Sequence, residues 1–222
     1  EHSTLLLVAQ AMFANEPRTE RVVRLQQEPD RIRNISIVAH VDHGKTTLAD
    51  GLISANGIIS KKMAGSLRYM DDRIDEQDRG ITMKSSSISL LANHNSQDFL
   101  INLIDSPGHV EFGFEVSAAL RLTDGALLVV DVLEGVSSQT YRVLLQTFEE
   151  RVASVLVLNK IDKLIRDRQL SPLEAYRHLN QIIEQVNAIL GSFINRRSSE
   201  LVDQSLSPVK KSSREYTANE LQ

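Results

Sequence analysis

Four short apolar runs recur along the chain: Asn34-Ile-Ser-Ile-Val-Ala39, Phe99-Leu-Ile-Asn-Leu-Ile104, Ala126-Leu-Leu-Val-Val130 and Val155-Leu-Val-Leu158. Each is rich in leucine or β-branched residues, bounded by polar residues, and too continuous for a strand with one wet face. Such runs suit strands buried on both faces of a parallel sheet. Helix-length segments such as Val136 to Arg151 lie between them, so strand and helix alternate and right-handed crossovers follow. The last helix is the best marked. Ser171-Pro172-Leu173-Glu174 sets a capping serine, a first-position proline and the reciprocal glutamate in order. Leu173, Tyr176, Leu179, Ile183, Val186 and Leu190 then recur at helical spacing as a core stripe, and Gly191 is placed to end the helix in a left-handed turn. The expected fold is therefore α/β, a mostly parallel sheet with helices on both faces.

Three regions follow. Residues 1–33 form an N-terminal extension, 34–191 the alternating body, and 192–222 a mobile polar tail with seven serines and few large apolar residues to repay ordering. Arg18, Arg21 and Arg24 share a helical spacing in the extension, which reads as a solvated helix face or, alternatively, as an rRNA contact.

The chain has 222 residues, 41% of them apolar, enough to bury roughly 70% of its unfolded surface without staples. With no cysteine, disulfide and cysteine-zinc scaffolds are excluded. The 25 basic and 29 acidic residues give a net charge of −4, so an overall cationic coat for nucleic acid is absent and any RNA contact is local. The run Leu5 to Phe13 is too short to span a bilayer and lacks the basic leader of a secretion signal. No membrane association is expected. The first residue is not Met, and the chain reads as a fragment.

The chemistry sits at strand ends. Ala39-His40-Val41-Asp42-His43-Gly44-Lys45-Thr46, followed by Thr47, leaves a predicted strand and opens a predicted helix, the context of a phosphate-binding loop, although its first position is Ala39 and not Gly. Backbone N–H groups would converge on phosphate oxygens, Gly44 would allow close approach, Lys45 would add a point charge and Thr46 would ligate magnesium. Asp105-Ser-Pro-Gly108-His109 follows the second run, where Asp105 would meet magnesium through a water. Asn159-Lys160-Ile-Asp162 follows the last run, and its Asp can accept from the ring N–H and exocyclic amine of guanine, which favours GTP over ATP. Arg79-Gly-Ile-Thr82 lies in a charged, aperiodic stretch from Lys61 to Lys84, as befits a segment ordered by a γ-phosphate and its metal. Singly these read as turns, helix starts or loops. Together, in order and at strand ends, they read as one site.

On these motifs the chain from about Arg31 to Gly191 resembles the G domain of a translational GTPase of the elongation factor 2 branch. Ile58-Ile-Ser60, Leu67-Arg-Tyr-Met-Asp71, Asp75-Glu-Gln77, Arg79-Gly-Ile-Thr-Met-Lys84, Glu134-Gly-Val136 and the run Leu170 to Ala188 look more like the elongation-factor-like GTPase of ribosome assembly than the translocase. That resemblance implies a P-loop NTPase fold, GTP/GDP and Mg2+ as ligands, and a cytoplasmic, monomeric enzyme. It implies action on the large ribosomal subunit, with the Shwachman-Bodian-Diamond protein, to evict initiation factor six. It also implies roles: His109 orients the attacking water, Val41 and Ile81 gate it, Asp42 helps to hold a monovalent cation, Thr82 joins Thr46 and Asp105 around the magnesium, and Gly108 senses the γ-phosphate. The family's base-backing motif after a sixth strand is not evident. An elongation factor 2 type translocase, and a nucleotide-binding module with little hydrolysis, remain the alternatives.

Overall fold

The computed structural model describes residues 17–65, 67–71, 76, 82, 84–108 and 113–206, without the side chains of 200–206. The run Leu5 to Phe13, the positions Arg79 to Ile81, His109 and the segment 207–222 lie outside the described residues. The elements are α1 (Arg18–Gln26), a 3-10 turn (Pro29–Arg31), β1 (Ile32–Ala39), α2 (Lys45–Ala55), β2 (Ser86–His94), β3 (Gln97–Asp105), α3 (Gly113–Arg121), β4 (Gly125–Asp131), α4 (Ser138–Glu149), β5 (Ala153–Asn159), α5 (Asp162–Arg166) and α6 (Pro172–Leu206). The sheet order is β2-β3-β1-β4-β5, with β2 antiparallel to β3 and the other pairs parallel.

The four predicted runs are β1, β3, β4 and β5. Burial on both faces holds for the inner strands and follows from period-two alternation, whereas β5 is an edge strand on which Val155 is 61% exposed. Ile37, Ala39 and Val129 pack with Ala49 and Ile53 of α2, while Val38, Leu128 and Val130 pack on the opposite face with Leu120, Leu144, Ile182 and Val186. Strand β2 has no counterpart among the predicted runs. Its serines dilute the apolar signal, yet Ile88 and Leu90 alternate, and the turn at Asn95-Ser96 takes positive φ at both residues, the two-residue geometry that suits the twist of a hairpin.

Helix α1 is clamped to this hairpin. Arg21 and Arg24 reach Asp98 at 2.8 and 3.7 Å, Arg18 donates to Ser89 O at 2.7 Å, and Leu25 is fully buried. The arginine spacing is thus not a purely solvated face; it is the bolt that holds the helix on the sheet.

Two expectations about α6 are corrected. The capping box forms as expected, with Ser171 N and Oγ donating to Glu174 at 2.9 and 2.6 Å. Helix α6, however, does not stop at Gly191, which has helical backbone, but continues to Leu206. Phe193 supplies the reason, since it is 4% exposed and packs on Tyr141 and Phe148 of α4. Residues 192–206, expected as mobile tail, are therefore helical. The core stripe holds only in part: Leu179, Val186 and Leu190 pack in the core, while Leu173, Tyr176 and Ile183 are exposed and Ile182 and Phe193 complete the buried face. Where α6 meets α4 and the sheet decides which of two adjacent apolar stripes goes inside.

Candidate nucleotide site

The motifs converge because β1 is central and its two neighbours are reached by opposite crossovers. This makes the carboxyl end of β1 the switch point at which open α/β sheets bind ligands. The loop after β1, Asp105 ending β3, Asp131 ending β4 and Asn159 ending β5 are all delivered there, with Ala39 opposite Val129 and Asp131 opposite Asn159 in register. A cavity of about 220 Å³ opens among them, lined by His40, Val41, Asp42, Gly44, Lys45, Thr46, Thr47, Arg68, Thr82, Gly108 and Lys160.

Left-handed backbone recurs at this rim. Asp42, Gly44 and Lys160 have φ of 63°, 91° and 60°. Two of the three are not glycine, and such residues are held in the left-handed region only where the surroundings over-determine them. The braces are visible: Asn159 Nδ2 donates to His43 O at 2.9 Å, and Lys160 Nζ donates to Asp42 O while pairing with Asp131 at 2.7 Å. Burial works against the Asp131 carboxylate, but hydrogen bonds from Lys160 and from Leu133 N–H outweigh it and hold its pKa below the usual value.

Inside the cavity, Lys45 Nζ lies 2.7 Å from Asp105 Oδ1 and 3.2 Å from Thr82 Oγ1. Thr46 and Thr82 hydroxyls stand 3.5 Å apart, and Thr82 donates to Asp71 at 2.8 Å. Burial raises the pKa of Asp105, against the opposing pull of Lys45. Its second oxygen, Oδ2, is buried without a hydrogen-bond partner among the described residues. An orphaned carboxylate oxygen beside two hydroxyls is a hard-oxygen donor set, so the residues present fit a magnesium ion.

The loop over this cluster is anchored from below. Asp50 of α2 accepts from the backbone N–H groups of Gly65, Arg68 and Tyr69 at 3.1, 3.0 and 2.9 Å. Gly108 approaches so closely that a Cβ there would meet Ala39 O at 3.2 Å.

Of the expected site residues, His40, Val41, Asp42, Gly44, Lys45, Thr46, Thr47, Thr82, Gly108 and Lys160 line one cavity, and Asp105 sits at its floor against Lys45. His43 and Asn159 lie beneath the loop as supports. Asp162 stands apart at the start of α5, with its side chain 63% exposed and 3.5 Å from Arg166. Sequence reasoning assigned no role to Arg68, Asp71, Asp131 or Glu134. Asp131 was findable by the rule that singled out Asp105 and Asn159, a polar residue at a strand end.

The sequence of residues 30–216 matches the family model described as "Elongation factor Tu GTP binding domain". The chain belongs to this GTP-binding-domain family. Among curated relatives, the domain is 56% identical over 178 residues to "Elongation factor-like GTPase 1" of Homo sapiens, covering 80% of this chain and 16% of that one. It is 57% identical over 185 residues to "Ribosome assembly protein 1" of Saccharomyces cerevisiae, covering 79% and 17%. "Elongation factor 2" of Methanosarcina thermophila is 49% identical over 179 residues, covering 81% and 24%. This G domain thus spans about a sixth to a quarter of the length of these relatives. It is of the translational GTPase type, and nearer in identity to the assembly factors than to the elongation factor. Among the described residues no helix is long and apolar enough to cross a membrane.

Proposed function

We propose that this chain is the catalytic G domain of a magnesium-dependent GTPase that acts in cytoplasmic maturation of the large ribosomal subunit. In this reading it promotes release of the anti-association initiation factor six together with the Shwachman-Bodian-Diamond protein. The observation that carries the chemistry is the convergence of Lys45, Thr46, Thr82 and the half-unpaired Asp105 under one strained loop. The greater identity to "Ribosome assembly protein 1" than to "Elongation factor 2" supports the assembly role over the translocase.

GTP is the substrate. The loop from Ala39 to Thr47 and the N-terminus of α2 would hold its phosphates, with Lys45 neutralising their charge. Asn159 and Asp162 would read the guanine, Lys160 would lie along the base and Gly108 would sense the γ-phosphate. Thr46, Thr82 and Asp105 would hold magnesium, which supplies charge neutralisation between the phosphates. Thr82 is suited to sense the γ-phosphate because its hydroxyl already links Lys45 to Asp71. His109 would orient the attacking water, and Val41 lines the cavity where the apolar gate would stand. Positioning and electrostatics do the work, so intrinsic turnover is slow and rises when the ribosomal subunit engages.

The test is single-turnover GTP hydrolysis by the full-length protein, with and without large ribosomal subunits, beside His109→Ala. Acceleration by subunits that the variant loses supports the proposal. GTP binding without subunit-stimulated turnover, indifferent to His109→Ala, would make the chain a nucleotide-binding module instead.

A further inference from the structure

A second, smaller cluster joins the phosphate loop to the turn after β4. His43 is fully buried, with Nδ1 3.4 Å from Val129 O and Nε2 3.1 Å from Glu134 Oε2. The His40 ring meets it edge to face at 5.1 Å. One ligand atom each from His40, His43 and Glu134 lies within 4.8 Å of the other two. His40 Nδ1 is itself buried without a hydrogen-bond partner among the described residues.

The hydrogen-bond chemistry leaves a gap here. Val129 O can only accept, so the tautomer that satisfies it carries the proton on Nδ1 and turns the Nε2 lone pair toward the carboxylate. In that tautomer two acceptors stand 3.1 Å apart and need a proton or a metal ion between them; the other neutral tautomer donates from Nε2 to Glu134 and leaves Val129 O, 3.4 Å from Nδ1, without that N–H. A proton on Nε2 settles that contact but leaves His40 Nδ1 orphaned. A metal ion gives the nearby His40 ring a role as well.

We propose that His40, His43 and Glu134 form a binding site for a borderline divalent transition metal such as Zn2+, separate from the magnesium site of the nucleotide. Two imidazoles and one carboxylate are a zinc-type donor set, whereas magnesium takes oxygen. A backbone carbonyl on the far ring nitrogen, as Val129 O stands to His43, is the outer contact that fixes a ligating histidine's tautomer. Ligand atoms on a tetrahedral zinc ion lie about 3.3 Å apart, given bonds of ~2.05 Å. Closing to that spacing asks for rotation of the His40 ring and of Glu134, which is half exposed and free to turn.

Occupancy would cross-link the phosphate loop to the 132–135 turn. That turn is itself tied outward, with Arg168 donating to Leu133 O at 2.7 Å and His178 of α6 bonded to Val132 O at 2.6 Å. The bound metal therefore slows nucleotide release by holding the loop against α6.

The experiment takes the full-length protein, stripped with chelator and loaded with GDP and magnesium, and titrates it with Zn2+ alone against a chromophoric zinc indicator. Glu134→Gln keeps the side chain's shape, and each variant's GDP affinity and release in chelator serve as its own baseline. The expected result is one zinc equivalent whose affinity falls at least tenfold in Glu134→Gln and in His40→Gln, with GDP release slowed by zinc only in the wild type. Two variants guard against a folding defect in either. Absence of zinc binding, or an equivalent that both variants retain, overturns the proposal and leaves a proton as the charge between His43 and Glu134.

Discussion

Gly44 is where the loop's conformation and its brace can be separated by measurement. It has φ of +91°, and a Cβ there would stand 2.2 Å from Asn159 Nδ2, the atom that donates to His43 O. Gly44→Ala therefore carries two costs. The left-handed backbone costs an L residue about 1–2 kcal/mol. Displacing Asn159 forfeits a hydrogen bond with a net worth of about 0.5–1.5 kcal/mol. The sum, about 1.5–3.5 kcal/mol, corresponds to a GDP affinity roughly 10- to 300-fold weaker if the loop must be native to bind. In an Asn159→Ala background only the backbone cost remains, so the two substitutions couple by about 0.5–1.5 kcal/mol. The assay is equilibrium binding of a fluorescent GDP analogue to the four members of the cycle. Any base contact that Asn159 loses on displacement adds to the coupling. Wild-type affinity for Gly44→Ala, or strict additivity with Asn159→Ala, would refute the claim that Asn159 braces this loop through the space Gly44 leaves.

Other outcomes follow from the packing. Gly191→Ala should raise stability by about 0.4–1 kcal/mol in urea unfolding, because the backbone is helical and a Cβ there meets nothing within 4 Å; a loss would show that the residue turns left-handed after all. Leu25→Ala should cost about 2–5 kcal/mol locally and speed amide exchange across α1 while leaving the β4–β5 strands protected. Burial opposes the charge on Asp98, but hydrogen bonds from Asn93 and Arg21 and the charges of Arg21 and Arg24 depress its pKa below 3.8. The stability it contributes is therefore complete above that ordinary value and is lost as pH falls through the lowered one. The drop in urea midpoint between pH 5 and pH 3 should accordingly be smaller in Asp98→Asn, and an unchanged drop would remove Asp98 from the acid response.

The braces also explain why residues beneath and beside the loop matter to its conformation. His43 and Asn159 contribute from beneath the loop, Asp131 by orienting Lys160, and Asp71 by accepting the Thr82 hydrogen bond. Each substitution there loosens a loop whose strained dihedrals persist only while their neighbours hold them.

By itself the sequence determined the parallel body and the place of its chemistry. Long apolar runs can be buried on both faces only in a sheet covered by helices, and polar residues at the ends of such runs must emerge at one edge. Lys45, Thr46, Asp105 and Asn159 were legible for that reason, and so was the capping box of α6, which is local. What the chain could not disclose was decided by contacts between distant segments. Strand β2 exists because β3 offers it a partner, and Arg21 and Arg24 turn inward because Asp98, more than seventy residues on, is there to meet them. Helix α6 continues through Gly191 because Phe193 finds an aromatic seat on α4, and its outer apolar stripe stays exposed because the sheet takes the adjacent one. Glu134 becomes a partner of His43 only once β4 lies beside β1, since pairing across a sheet is a property of register and not of spacing along the chain.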